Sequence, residues 1–341
     1  MIRRPFVLLV AVVALVTASC ASTPHDKHDI GMGKVDLTLA FTDKELKELP
    51  VPPRVIVQLI PFDGSANDLA QYLVRPGERP AIPNPFACAS APANAPVPAS
   101  APLSIAKPPT PGYYRFHNTG TIKVTLGGIT FQVPYPPYSV MQITNVKTSP
   151  KGDGLPAPAG TGSASVTTFD AITTVAKNFG TNDSYQLLGN TEVDLVSHAE
   201  TSDQGSGSDT WKPAVKVYDS GGPGTKWNAL GSNVPAKRAM GFQGSISKSK
   251  VIDVCGTLIE TLEVQSSTTI ADLNNRNTNG TTTGQSDYTD FGTSLGGVIV
   301  SRAIHSTEVT TVDNAPVTVV TDVTSTLMSL TPSDTPPVAA S

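Results

Sequence analysis

Residues 121–133 leave the chain little conformational choice. Thr121-Ile-Lys-Val-Thr-Leu126 and Ile129-Thr-Phe-Gln-Val133 alternate apolar and polar residues on either side of Gly127-Gly128. Alternation with period two marks a half-buried strand, and two adjacent glycines supply the positive φ angles that a tight hairpin turn demands. A pairing register follows: Leu126 opposes Ile129, Val124 opposes Phe131 and Ile122 opposes Val133, all on one side. Composition carries the inference to the rest of the chain. Gly 28 and Pro 30 make 58 of 341 residues, and with abundant Val and Thr they favour short strands and turns over helices.

Further strands are expected over 35–41, 55–60, 139–146, 211–218, 241–249, 250–269, 297–312 and 316–330. Residues 185–196 read as a strand or hairpin kinked at Gly189-Asn190. In 250–264 the even positions Ile252, Val254, Leu258, Leu262 and Val264 read as one buried face, with Cys255 on the other. Residues 43–49 suit a short helical turn stopped by Pro50, and 67–74 a short helix capped by Asn67. The segment 169–179 admits an amphipathic helix through Phe169, Ile172, Val175, Ala176 and Phe179, or a strand; periodicity does not separate the two. Pro134-Tyr-Pro-Pro-Tyr138 breaks a strand, and 149–165, 199–209 and 272–286 read as polar or glycine-rich loops, the second a mobile tip. Residues 80–111 hold ten prolines in thirty-two, which excludes a sheet ladder and suits an extended connector.

The N-terminus gives location. Arg3 and Arg4 precede an apolar run over 5–16, then Thr17-Ala-Ser-Cys20. The run is too short to span roughly 30 Å of hydrocarbon, so a secretory signal is the better reading. A signal ending on cysteine resembles the lipobox of bacterial lipoproteins, with Thr17 where leucine is usual. The resemblance implies lipid on Cys20 and a mature protein held outside the cytoplasmic membrane by that lipid. The alternative is an ordinary secretory cut near Ala18 or Ala21. With Arg3 and Arg4 removed, the 24 basic residues fall to 22 against 28 acidic ones, a net charge of −6. No basic cluster is present, so neither nucleic acid nor an anionic membrane surface is an expected partner. With Cys20 lipidated, Cys88 and Cys255 remain, and in an oxidising compartment they most simply pair with each other; two unpaired thiols are the alternative.

Signatures of catalysis are missing. There is no His-Glu-x-x-His pair or phosphate-cradling glycine loop. His25, Asp26, His28, Asp29 and Met32 sit in a stretch that reads as a solvated tether, so no metal and no cofactor is expected. His117, His198 and His305 are scattered, and a Ser–His–Asp set assembled from His198 or His305 rests on nothing beyond the abundance of serine and aspartate. Trp211, Trp227, Tyr135 and Tyr138 are the candidate ligand-lining residues, with core packing as the alternative for the tryptophans.

Pro111-Gly-Tyr-Tyr-Arg-Phe116, Trp211-Lys-Pro-Ala with Gly224-Thr-Lys-Trp227, Val254-Cys-Gly-Thr-Leu-Ile-Glu-Thr-Leu-Glu-Val264, and Asp290-Phe-Gly-Thr-Ser-Leu-Gly-Gly-Val-Ile-Val300 follow one another along the chain. This order resembles uncharacterised secreted and lipid-anchored actinobacterial proteins, whose sheets are loosely similar to the half-barrel of periplasmic lipoprotein carriers and related lipid-binding lipoproteins. The resemblance covers 111–330, implies a curved antiparallel sheet that cradles something apolar, and brings no catalytic residues. The expectation is a mainly β protein with few short helices, its sheet half-barrel or sandwich-like. Its organisation runs as signal peptide 1–19, tether 20–34, small α+β unit 35–79, Pro/Ala-rich connector 80–111, large β domain 112–330 and disordered tail 331–341. The expected function is non-catalytic binding of a lipid or glycan in the sheet's concavity. A structural or protein-interaction component of the envelope is the alternative, and a hydrolase the third. Oligomeric state stays open.

Overall fold

The computed structural model describes residues 43–48, 60–61, 89–96, 108–149, 165–177, 179–189, 191–202, 205–272, 277–289, 298–312 and 315–337. The signal peptide, Cys20, the tether, the strand at 35–41, most of that at 55–60, the helix at 67–74, Cys88 with most of the connector, and the loop at 149–165 lie outside the described residues. Helix α1, Asp43–Glu48, falls where a short helical turn is expected.

Thirteen strands follow among the described residues: β1 Gly112–Leu126, β2 Ile129–Pro134, β3 Tyr138–Ser149, β4 Val166–Ala176, β5 Phe179–Leu188, β6 Glu192–Ser202, β7 Gly205–Asp219, β8 Lys226–Asn233, β9 Arg238–Val254, β10 Thr257–Asp272, β11 Asn277–Thr289, β12 Ile299–Val312 and β13 Ala315–Leu327. From β3 onward each strand pairs antiparallel with the next, and β13 pairs back onto β1. All strands but β2 therefore form a closed ring, and the curved sheet becomes a barrel.

The opening hairpin has the register read from its sequence, with Leu126 opposite Ile129, Val124 opposite Phe131 and Ile122 opposite Val133. Strand β1 also pairs with β3 through 112–117, so β2 and β3 lie end to end along one of its edges. The Pro-rich break between them is stitched to β1: Asn118 N and Nδ2 donate to the carbonyls of Pro137 and Pro136, and Tyr135 N donates to that of Gly120. Along β1 and β13, Ile122, Val124, Leu126, Val317, Val319 and Val323 are buried, while Thr119, Lys123, Thr125, Thr318, Asp322 and Thr324 alternate with them. Over this stretch apolar side chains mostly face inward and polar ones outward.

Gly120 sits where β1 changes partners. Its φ is +149°, and a Cβ there would lie 2.0 Å from the Asp322 carbonyl oxygen on β13. The obstacle is backbone and cannot swing away. Gly120→Ala is expected to cost about 2 kcal/mol or more, read by chemical denaturation.

The backbone decides one open reading and corrects three others. Residues 169–179 are not helical: they form β4 and enter β5, with Ala171 opposite Ile143 and Thr173 opposite Thr181. Runs of β-branched Thr and Val, stiff at χ1, fit the pleated sheet better than a helix. Residues 199–209 are no mobile tip but the paired ends of β6 and β7. Most of 272–286 is β11, bonded to β10 and β12 on its two sides. The tail is pinned at Ser333, which exchanges both backbone hydrogen bonds with Tyr113.

The single strand expected over 250–264 is a hairpin. Cys255 and Gly256 have φ of 48° and 90° and form a two-residue turn that sets Val254 opposite Thr257 and Ile252 opposite Ile259. Leu258 then leaves the face that Val254 occupies. Asp253 holds the turn, its Oδ1 accepting the Gly256 N–H at 2.7 Å, while its Oδ2 accepts the Ala91 N–H at 2.6 Å. A piece of the Pro/Ala-rich connector is thereby docked on the barrel's end.

Candidate functional site

Among the described residues, two of the places where polar side chains gather bear on function. One lies inside the barrel, where the hairpin of β6 and β7 turns its polar residues inward. Asp183 on β5, His198 and Glu200 on β6, Asp209 on β7, Arg238 on β9 and Glu308 on β12 are all buried, none exposed by more than 5%. Asp209 accepts from Arg238 Nη1 and from Asn233 Nδ2, each at 2.6 Å. His198 Nδ1 bonds Asp183. By contrast, His198 Nε2, Glu200 Oε1, Glu308 Oε1 and Thr181 Oγ1 are buried and meet no hydrogen-bond partner.

This environment dictates protonation. Burial pushes Glu200 up to about 8, against the opposing pull of His198 and Arg238. Burial also raises Glu308 well above the usual carboxylate range, Glu200 adding to it and Arg238 working the other way. Burial disfavours the imidazolium of His198, yet the Asp183 carboxylate beside it leaves its pKa above the ordinary value. No hydroxyl meets His198 Nε2, so a Ser–His–Asp set is not assembled on it. Among the described residues, no group of three or more His, Cys, Asp or Glu side chains is gathered as a metal site.

The other place is a groove of about 770 Å³ that brings together residues of β1, β10, β12 and β13. Its polar lining includes Thr119, Gln265, Ser266, His305, Asp322 and Thr324. His305 and Asp322 are opposed across β12 and β13, and His305 Nδ1 lies 2.5 Å from Asp322 Oδ1. Both are about half exposed. Hydroxyls, an amide, an imidazole and a carboxylate in an open groove can donate to and accept from a hydroxylated ligand.

The residues picked from the sequence as ligand-lining do not come together at either place. Trp211, Trp227 and Tyr135 are buried at 2%, 6% and 1% exposure. Trp227 stacks on Phe242 and tilts against Tyr218 within a core that also holds Trp211, Leu195, Val215 and Met240. Tyr138 is half-buried, with the Arg115 guanidinium 4.4 Å above its ring and His117 beside it. In the sequence, the signal for the buried cluster was a hairpin with two acids and a histidine at alternate inward positions, hidden by the Gly/Ser composition around them. The groove had no local signal, because its lining comes from four strands distant in sequence. No family model, curated protein or solved structure matches this chain.

Proposed function

We infer that this protein is an extracytoplasmic, lipid-tethered binding protein that takes a hydroxylated, glycan-type ligand without chemical turnover. The groove carries that reading: its size suits a small oligosaccharide, and its lining offers spaced donors and acceptors on rigid strands. A lipid ligand finds less support, because Trp211, Trp227 and Tyr135, three of the four aromatic side chains expected to line a ligand, are packed into the core. Tethering rests on Cys20 and on the lipobox-like run before it. A disulfide from Cys88 to Cys255 belongs to the same reading. Its support is that Ala89 and Ser90, which follow Cys88 in the chain, line one small pocket of about 230 Å³ together with Cys255. Such a link fastens the connector to the barrel end where Asp253 already holds Ala91.

A panel of neutral and acidic oligosaccharides, with phosphatidylcholine vesicles as the apolar comparison, tests the groove by titration calorimetry. Saturable oligosaccharide binding is expected, weakened about tenfold or more by Asp322→Ala, since a hydrogen bond to a charged group contributes about 1.5–3 kcal/mol. Failure of every oligosaccharide to bind, or affinity unchanged in Asp322→Ala, overturns the reading. Binding to the vesicles alone moves the ligand class to lipid.

A further inference from the structure

Glu200 and Glu308 stand on strands far apart around the ring, β6 and β12, yet the charge of Glu200 bears on Glu308. Strands β9 and β12, which carry Arg238 and Glu308, also approach each other across the inside of the ring. Both carboxyl groups are buried, at 3% and 2% exposure, and each keeps one oxygen without a hydrogen-bond partner. The charged groups bearing on them are Asp183 from β5, His198 on Glu200's own strand, Asp209 from β7 and Arg238 from β9. The β-ladders place Gly280 of β11 and Val319 of β13 directly opposite Glu308, neither of which titrates.

We propose that this cluster is a proton-operated clasp: protons on Glu200 and Glu308 hold opposite walls of the barrel together, and their loss loosens the barrel at that level. An ionised carboxylate inside a packed barrel, with a like charge bearing on it from another strand and Arg238 already engaged by Asp209, meets both a desolvation cost and repulsion. Water entering between the walls is the route that relieves both. The two glutamates are thus neutral and the barrel closed at mildly acidic pH, and the interior hydrated and open at alkaline pH.

The direction follows from linkage. Burial raises both carboxyls in the folded state, so the proton is bound more tightly folded than unfolded. Their contribution to stability is full below the ordinary glutamate pKa and is lost as pH rises through the folded value. His198, also raised, acts in the same sense through its own range.

The test is a melting series on the full chain from pH 5 to pH 9.5, with Glu200→Gln and Glu308→Gln beside the wild type. Hydrogen exchange of β6 and β12 is followed after correction for intrinsic base catalysis. The wild-type midpoint is expected to fall by about 5 °C or more across the range, with exchange in β6 and β12 accelerating. Each glutamine variant, carrying a permanently neutral amide, is expected to flatten that profile. A wild-type profile flat between pH 5 and 9.5, or variants that keep the wild-type slope, overturns the clasp. Infrared spectroscopy of the wild type supplies a readout independent of any variant's folding. A protonated-carboxyl C=O band present at pH 7 and weakening as the pH rises to 9.5 is expected, and its absence at pH 7 overturns the proposal.

Discussion

Asp209→Ala is expected to lower the unfolding free energy by about 3–5 kcal/mol, the range for removing one partner of a buried ion pair. Arg238 is 3% exposed, and its Nη1 donates to Asp209 Oδ2 at 2.6 Å. Asp209 also accepts from Asn233 Nδ2 at 2.6 Å. Truncation therefore takes from a buried guanidinium and a buried amide the carboxylate they share, and the cost comes from that loss inside the barrel. Arg238→Met in the same chain removes the buried charge, so the double variant is expected to regain part of the loss. Guanidinium denaturation followed through tryptophan fluorescence reads both, with Trp211 two residues from the substitution. A single-variant cost under about 1 kcal/mol would mean that solvent reaches Arg238 and that the pair behaves as a surface one.

What was legible in the sequence depended on whether the deciding interactions were local. The hairpin at Gly127-Gly128 was read to the residue pair, because turn and alternation lie within thirteen residues and agree. The Cys255-Gly256 turn was missed. It lacks the Asn-Gly or Asp-Gly signal, apolar residues continue at even positions beyond it, and the side chain that stabilises it is Asp253, before the turn. Strand β11 was missed because Asn, Thr and Gly name a loop by composition, whereas pairing with β10 and β12 decides its backbone. The buried cluster was missed for a related reason. Glu200 and Asp209 in a Gly/Ser-rich stretch look solvated until closure of the barrel places Arg238 and Glu308 across from them. Closure itself, β13 onto β1, joins segments about two hundred residues apart and leaves no local trace.

Whether the tryptophans are framework or ligand surface is decided by truncation. Trp211→Ala is expected to cost about 3–5 kcal/mol, the range for deleting a buried aromatic side chain into a cavity that relaxes only in part. The site has little means of collapsing. Trp211 backs onto Gly231 of β8, where even a Cβ would lie 3.1 Å from the Trp211 Cβ and 2.9 Å from the Pro213 carbonyl oxygen. The core cluster it belongs to also holds Leu195, Val215 and Met240, each wholly buried. Trp211→Phe keeps most of the volume and also removes an indole N–H that has no hydrogen-bond partner. That exchange is expected to stay within about 1.5 kcal/mol, since loss of packing and loss of an unpaired donor oppose each other. Half-buried Tyr138 gives the contrast: Tyr138→Ala removes an aromatic face already shared with Arg115 and solvent, and is expected to cost less than Trp211→Ala. Denaturation midpoints for the three variants, set beside their oligosaccharide affinities, separate the two roles. A framework tryptophan lowers stability on truncation and leaves affinity per folded molecule unchanged. A ligand-lining one would do the reverse, and that result would return the binding site from the groove to the barrel's interior.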